Sequence, residues 1–151
     1  MIHKRWALIL GGSSGLGWAT AQKLSEKGFN LILLHRDRRA DMAAIESNFE
    51  ALRESGGILI AKNMDVLNPS KKEDFLKEVR THLGDDKISV LVHSIAKGNL
   101  KPMYGNESDE VLKTQDFTLT IEAMATSAYD WTQSLMQNEL FAEVARVVAF
   151  T

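Results

Sequence analysis

Apolar residues along the chain fall into two kinds of run. Five are short and almost unbroken: 6–10 (WALIL), 31–34 (LILL), 58–61 (ILIA), 88–92 (ISVLV) and 146–150 (RVVAF). Rich in Ile, Leu and Val and hardly alternating, they predict strands buried on both faces of a parallel sheet. Between them the apolar spacing lengthens to three and four. Met42, Ile45, Phe49 and Leu52 predict one helix, with Gly56 as its C′ residue. Phe75, Leu76, Val79 and Leu83 predict the next, opened by a capping box of Ser70 and Glu73 and stopped by Gly84. The longest carries Phe117, Ile121, Met124, Ala128, Trp131 and Leu135 at alternating steps of four and three, a stripe suited to core and subunit-interface packing.

The order is βαβαβαβαβ. It predicts an α/β fold: a Rossmann-type, doubly wound parallel sheet joined by right-handed crossovers, with helices on both faces. The least regular stretch, 96–110 (AKGNLKPMYGNESDE), follows the fourth strand, where such sheets place ligand-binding loops. With 151 residues the chain is expected to form one domain, 1–151.

Composition narrows the function classes. Eighteen basic and 20 acidic residues give a formal charge of −2, which favours neither nucleic acid nor any other polyanion as partner. The chain has no cysteine, so it holds no disulfide or thiolate metal site, and no metal is expected. No apolar run approaches a membrane span, and the short run in MIHKRWALIL passes at once into glycines rather than a cleavage site. A cytoplasmic protein without membrane association is the expectation.

The sharpest chemistry lies between the first strand and first helix, in LILGGSSGLGWATAQ. Gly11, Gly15 and Gly17 form G-x-x-x-G-x-G. Gly11 would turn the chain off the strand, Gly15 would let the backbone approach a pyrophosphate, and Gly17 would let the helix pack on the sheet. The amides of Ser14, Gly15 and Leu16 would meet the anion at the helix N-terminus, with Ser13 and Ser14 adding hydroxyls. Strand before and helix after make dinucleotide binding the reading, against a plain glycine-rich turn. At the end of the second strand an NAD site would place a carboxylate. His35 stands there, followed by Arg36, whose guanidinium suits a 2′-phosphate. NADP is therefore the preferred cofactor, with NAD possible should Asp37 turn inward. His93, closing an apolar strand, reads as a structural histidine rather than a proton donor.

The glycine loop resembles that of the short-chain dehydrogenase/reductase family, T-G-x-x-x-G-x-G, with Leu10 in place of the threonine. Other family landmarks follow in order along the whole chain. Asp65 and Val66 match the Asp-Val after the third strand, which the resemblance assigns to adenine. VLVHSIAKG occupies the place of Asn-Asn-Ala-Gly, so Ser94, Ile95 and Ala96 would line the path to the nicotinamide. This Ser-Ile-Ala form, and YDWTQSL in the long helix, are similar to enoyl-(acyl-carrier-protein) reductases of fatty-acid synthesis. An arginine like Arg36 occurs in NADP-preferring members. The resemblance implies hydride transfer to an enoyl thioester or a carbonyl substrate by a homodimer or homotetramer.

The family takes its proton from a Tyr-x-x-x-Lys pair, more widely spaced in enoyl reductases, on the helix after the fifth strand. Tyr104 and Tyr129 precede that strand and have no lysine at the required offset. Glu122 lies near the position of the family's helix-four asparagine. The expectation is that the chain is an N-terminal part of an enzyme, incomplete at the C-terminus, with no catalytic residue and no activity of its own. A non-catalytic dinucleotide-binding or redox-sensing module is the rival reading.

Overall fold

A computed structural model describes residues 4–106 and 111–150. Its five strands are β1 (Arg5–Leu10), β2 (Asn30–His35), β3 (Leu59–Asn63), β4 (Lys87–His93) and β5 (Phe141–Ala149). They form one parallel sheet in the order β3-β2-β1-β4-β5. Five α-helices connect them: α1 (Gly15–Glu26), α2 (Met42–Glu54), α3 (Pro69–Leu83), α4 (Thr114–Ile121) and α5 (Ser127–Gln137). The doubly wound Rossmann-type fold predicted above is present. Its strand order reverses between β1 and β4, the switch point at which such sheets open a crevice.

The unbroken apolar runs are explained by two cores, one on each face of the sheet. Ala7, Ile9, Leu31 and Leu33 point to one side, against Ala21 of α1 and Ile45, Phe49 and Leu52 of α2. Trp6, Leu8, Leu10, Ile32 and Leu34 point to the other, against Phe75, Val79 and Leu83 of α3 and Trp131 and Leu135 of α5. Alternate residues thus serve opposite cores, and neither set can be polar. β5 departs from this pattern. It pairs only with β4, and Val144, Val147 and Val148 are exposed.

Three expectations are corrected. Helix α3 is not opened by a Ser70–Glu73 box: the Asn68 side chain accepts from the Lys71 amide at 3.0 Å, and Pro69 takes the first helical turn. Proline has no amide to leave orphaned there, so the cap sits two residues earlier. Glu73 instead pairs with Lys77 at 3.0 Å on the helix surface. The long helix runs through as expected, but a π-helical turn (Glu122–Thr126), which the spacing does not predict, lies between α4 and α5. The wider turn rotates the stripe: Asp116, Ala123, Ser127, Trp131 and Leu135 are buried, whereas Phe117 and Ile121 are each 57% exposed. Finally, the last strand begins at Phe141, not at 146. It reaches the Val90↔Arg146 register after an irregularity that follows Ile88↔Phe141.

Candidate functional site

A cavity of about 620 Å3 opens at the carboxyl ends of β1, β2 and β4. Gly11 and the segment Ser13 to Leu16 line its middle. Leu34 to Asp37 and Met64 to Leu67 line one end, and Ser94 to Lys97 with Met124 and Phe150 line the other. Of the residues expected to bind the cofactor, only Gly17 does not line this space. Its size falls within the range of small-molecule and cofactor sites.

The glycine loop owes its shape to two close approaches. Gly11 has φ +84°, and a Cβ there would lie 2.1 Å from the Ser94 carbonyl oxygen. A Cβ on Gly17 would lie 1.9 Å from the Gly11 carbonyl oxygen, so Gly17 sits beneath the loop and lets α1 close on it. The Gly11 and Gly12 amides both donate to the Leu34 carbonyl, at 2.8 and 3.1 Å, tying the loop to β2. Ser14 is the N-cap residue; its carbonyl accepts from Trp18, and its side chain makes no cap bond. The amides of Gly15, Leu16 and Gly17 have no intrahelical acceptor, so the first turn presents donors and the positive end of the helix dipole to an anion.

At the β2 end, His35 is buried and its Nδ1 lies 2.7 Å from Asp37 Oδ2. Asp37 thus has one carboxylate oxygen tied to the strand end while still lining the cavity, and its backbone exchanges hydrogen bonds with the Asn63 side chain at 3.2 and 3.0 Å. Arg36 reaches across to Asp65, with Nη1 3.1 Å from Oδ2. The other carboxylate oxygen of Asp65 accepts from the Leu67 amide at 3.0 Å, fixing the turn after β3. Trp131 completes this end from below: its Nε1 donates to the Val66 carbonyl at 3.0 Å, within the core.

At the β4 end, Ser94 donates its amide to Leu10 at 2.9 Å, and Phe150 donates to the His93 carbonyl at 3.0 Å. His93 is fully buried and points away from the cavity, its Nε2 lying 2.7 Å from Ser127 Oγ. Ser127 spends its single proton on the Ala123 carbonyl at 2.8 Å, so His93 must donate from Nε2. Its Nδ1 is then a buried lone pair with no hydrogen-bond partner, and burial holds the imidazole below its ordinary value. His93 is thus neutral and joins β4 to the π-helical turn, consistent with a structural role through a side chain rather than backbone partner. Farther on, buried Asp116 gathers the loop after β4: it accepts from the Lys113 amide at 2.8 Å, from Asn99 at 2.5 Å and from Lys101 at 3.4 Å. These bonds, that from the Lys113 amide foremost, hold its carboxyl below the usual range. Glu107 to Glu110, part of the loop read as functional, lie outside the described residues.

Residues 5–151 match the family model described as short chain dehydrogenase. The chain belongs to the short-chain dehydrogenase family. Among curated relatives, a (+)-neomenthol dehydrogenase of Arabidopsis thaliana is 26% identical over 135 residues, covering 83% of this chain and 45% of that protein. The chain spans less than half the length of the curated relatives it matches first. Two solved structures share the fold. A 3-oxoacyl-[acyl-carrier protein] reductase from Brucella melitensis in complex with NAD has a TM-score of 0.71 at 23% identity, over 97% of this chain and 53% of that one. The L-sorbose reductase from Gluconobacter frateurii complexed with NADPH and L-sorbose has a TM-score of 0.70 at 20% identity, over 91% and 48%.

In this short-chain dehydrogenase chain, neither Tyr104 nor Tyr129 lines the cavity; both are exposed, and Tyr129 accepts from Gln133 at 2.9 Å. Sequence reasoning missed Leu34, Met64, Leu67, Lys97, Met124 and Phe150 as lining residues. Lys97 follows Ala96 directly and was within reach of the motif. Met124 comes to the cavity from the π-helical turn, for which no sequence pattern was read. Among the described residues no group of His, Asp and Glu could hold a metal ion, and no helix is long and apolar enough to cross a membrane.

Proposed function

We propose that the chain is the dinucleotide-binding part of an NAD(P)H-dependent oxidoreductase, with residues 1–151 forming one domain that prefers NADP. The observation that carries this reading is the cradle at Gly11 and Gly17, where the space a Cβ would occupy is taken by backbone. That closeness keeps the first-turn amides of α1 facing the cavity. There Ser13, Ser14, Gly15 and Leu16 would hold the pyrophosphate. Asp65 and Val66 would meet the adenine, and Ser94, Ile95 and Ala96 would guide the nicotinamide. His35 and Arg36 would receive the adenosine ribose. His35 holds one carboxylate oxygen of Asp37, and Arg36 beside it suits a 2′-phosphate, which supports NADP. Neighbours of the same fold bound to NAD and to NADPH support a nicotinamide dinucleotide in either form.

A bound nicotinamide would supply the hydride for an enoyl thioester or carbonyl substrate. The Ser94-Ile95-Ala96 sequence supports the first, and the likeness to the Brucella 3-oxoacyl-[acyl-carrier protein] reductase supports the second. The proton would come from a group outside this chain, since neither tyrosine faces the cavity. We place the protein in the cytoplasm as a homodimer or homotetramer, with Phe117 and Ile121 of α4 free for packing between subunits. The same two tyrosines favour, as a second reading, a binding or redox-sensing module without catalysis.

Titration of NADPH into the protein, followed by nicotinamide fluorescence, tests the site. Binding should be lost in Gly15→Trp, whose new side chain projects from a position with no atom within 4 Å of its Cβ. Undiminished affinity in that variant would remove the glycine loop from the site.

A further inference from the structure

Two cations line the cavity, and they differ in their commitments. Arg36 is engaged by Asp65. Lys97, at the opposite end, has no ion-pair or hydrogen-bond partner among the described residues. The acid that pins the segment beyond it has partners of its own: Asp116 accepts from Asn99, Lys101 and the Lys113 amide. Lys97 is half-buried, and the residues that share its end of the cavity include Ile95, Ala96, Met124 and Phe150. A lysine carried beside such a lining has an ammonium to offer that no other group of the cavity engages. Low local polarity also strengthens its attraction for any anion that arrives.

The root of this side chain is held on both sides. Before it, Ser94 is bonded to the end of β1. After it, Gly98 packs so closely on α4 that a Cβ would lie 2.9 Å from Thr120 Oγ1, and Asn99 is bonded to Asp116. A flexible lysine on an unanchored loop would sample solvent. This one is carried on a segment fixed at Ser94 and again at Gly98.

We infer that Lys97 is an anion-binding residue, receiving a carboxylate or phosphate oxygen at the end of the cavity remote from Arg36. The inference rests on the dinucleotide reading of the cavity and deepens it. Two sources share the required chemistry: the pyrophosphate of the dinucleotide, and an acidic group on the molecule to be reduced.

Calorimetric titration of the full chain and its Lys97→Met and Lys97→Arg variants separates them, with unchanged thermal midpoints as the folding control. The ligands are NADPH, then acetoacetate and its neutral methyl ester added to the NADPH complex. A charge-assisted bond corresponds to a loss of about tenfold or more in Lys97→Met, substantially restored in Lys97→Arg. If that loss falls on NADPH, the partner is the pyrophosphate. If NADPH is unaffected and the loss falls on acetoacetate but not on its ester, the partner is the substrate's carboxylate. Equal binding of all three ligands to Lys97→Met and the unaltered chain, with NADPH bound by both, overturns the role of Lys97 and leaves the dinucleotide reading standing. Failure of the unaltered chain to bind NADPH overturns both.

Discussion

Arg36 Nη1 lies 3.1 Å from Asp65 Oδ2, so two residues expected to meet the adenosine half of a cofactor meet each other. The pair joins the end of β2 to the turn after β3. It is a weak latch, because the Arg36 side chain is 64% exposed and ion pairs in that setting contribute about 0–1 kcal/mol. A 2′-phosphate offers a charge-assisted bond of about 1.5–3 kcal/mol, enough to draw the guanidinium away. Arg36→Leu should therefore weaken NADPH by about 10- to 100-fold and change NADH by less than about threefold. Parallel titrations check this; equal losses for the two would mean that Arg36 acts only by holding Asp65.

The two glycines of the loop should fail differently. Gly11→Ala drives a Cβ onto the Ser94 carbonyl at a positive φ, and is expected to cost at least about 2–3 kcal/mol in urea unfolding. Gly15→Ala meets only the strain of φ +56°, about 1–2 kcal/mol, since nothing lies within 4 Å of its Cβ.

His93 makes stability depend on pH. Its folded value is lowered by burial below the ordinary 6.5, so the unfolded chain takes up the proton first as pH falls. Its contribution is complete above about pH 6.5 and is lost as pH falls below that value. Urea midpoints measured between pH 7.5 and 5 should decline, and the decline should be shallower in His93→Asn. Identical slopes would show that another group governs this range.

Capping of α3 is tested by a pair of alanines. Asn68→Ala should cost about 1 kcal/mol by removing the acceptor of the Lys71 amide. Ser70→Ala, already inside the helix, should change stability by less than about 0.5 kcal/mol. The reverse order would reinstate Ser70 as the cap.

Trp131→Phe keeps an aromatic ring in the core but removes the donor to the Val66 carbonyl together with part of the indole's volume. A buried carbonyl left without its partner costs about 1–3 kcal/mol, readable as a lower thermal midpoint. A smaller effect would mean that water replaces the indole.

How far the sequence could be read followed how local each feature is. The inner strands were legible because burial on both faces demands Ile, Leu and Val at successive positions, as in Ala7 to Leu10. Gly11, Gly15 and Gly17 were legible because backbone geometry there excludes other residues. The π-helical turn was not. It sits beside long-range anchors, Ser127 on His93 and Trp131 on Val66, that join positions 34 and 65 residues apart. No window of consecutive residues contains both partners. The start of β5 was missed for a different reason. As the outer strand, with Glu143 and Val144 exposed, it lacks the unbroken apolar signal of its neighbours.

The place of β1 and β4 in the sheet bears on how the molecule comes together. These strands are neighbours in space, and Lys4 is hydrogen-bonded to Asp86, 82 residues away. Closing so long a span is entropically slow, and parallel pairing offers no hairpin to shorten it. Since the cavity lies across that seam, it exists only after the most distant segments have met. A ligand filling it would then stabilise the completed sheet by mass action instead of ordering a single loop. Refolding yield, more than binding to a preformed chain, would register its presence.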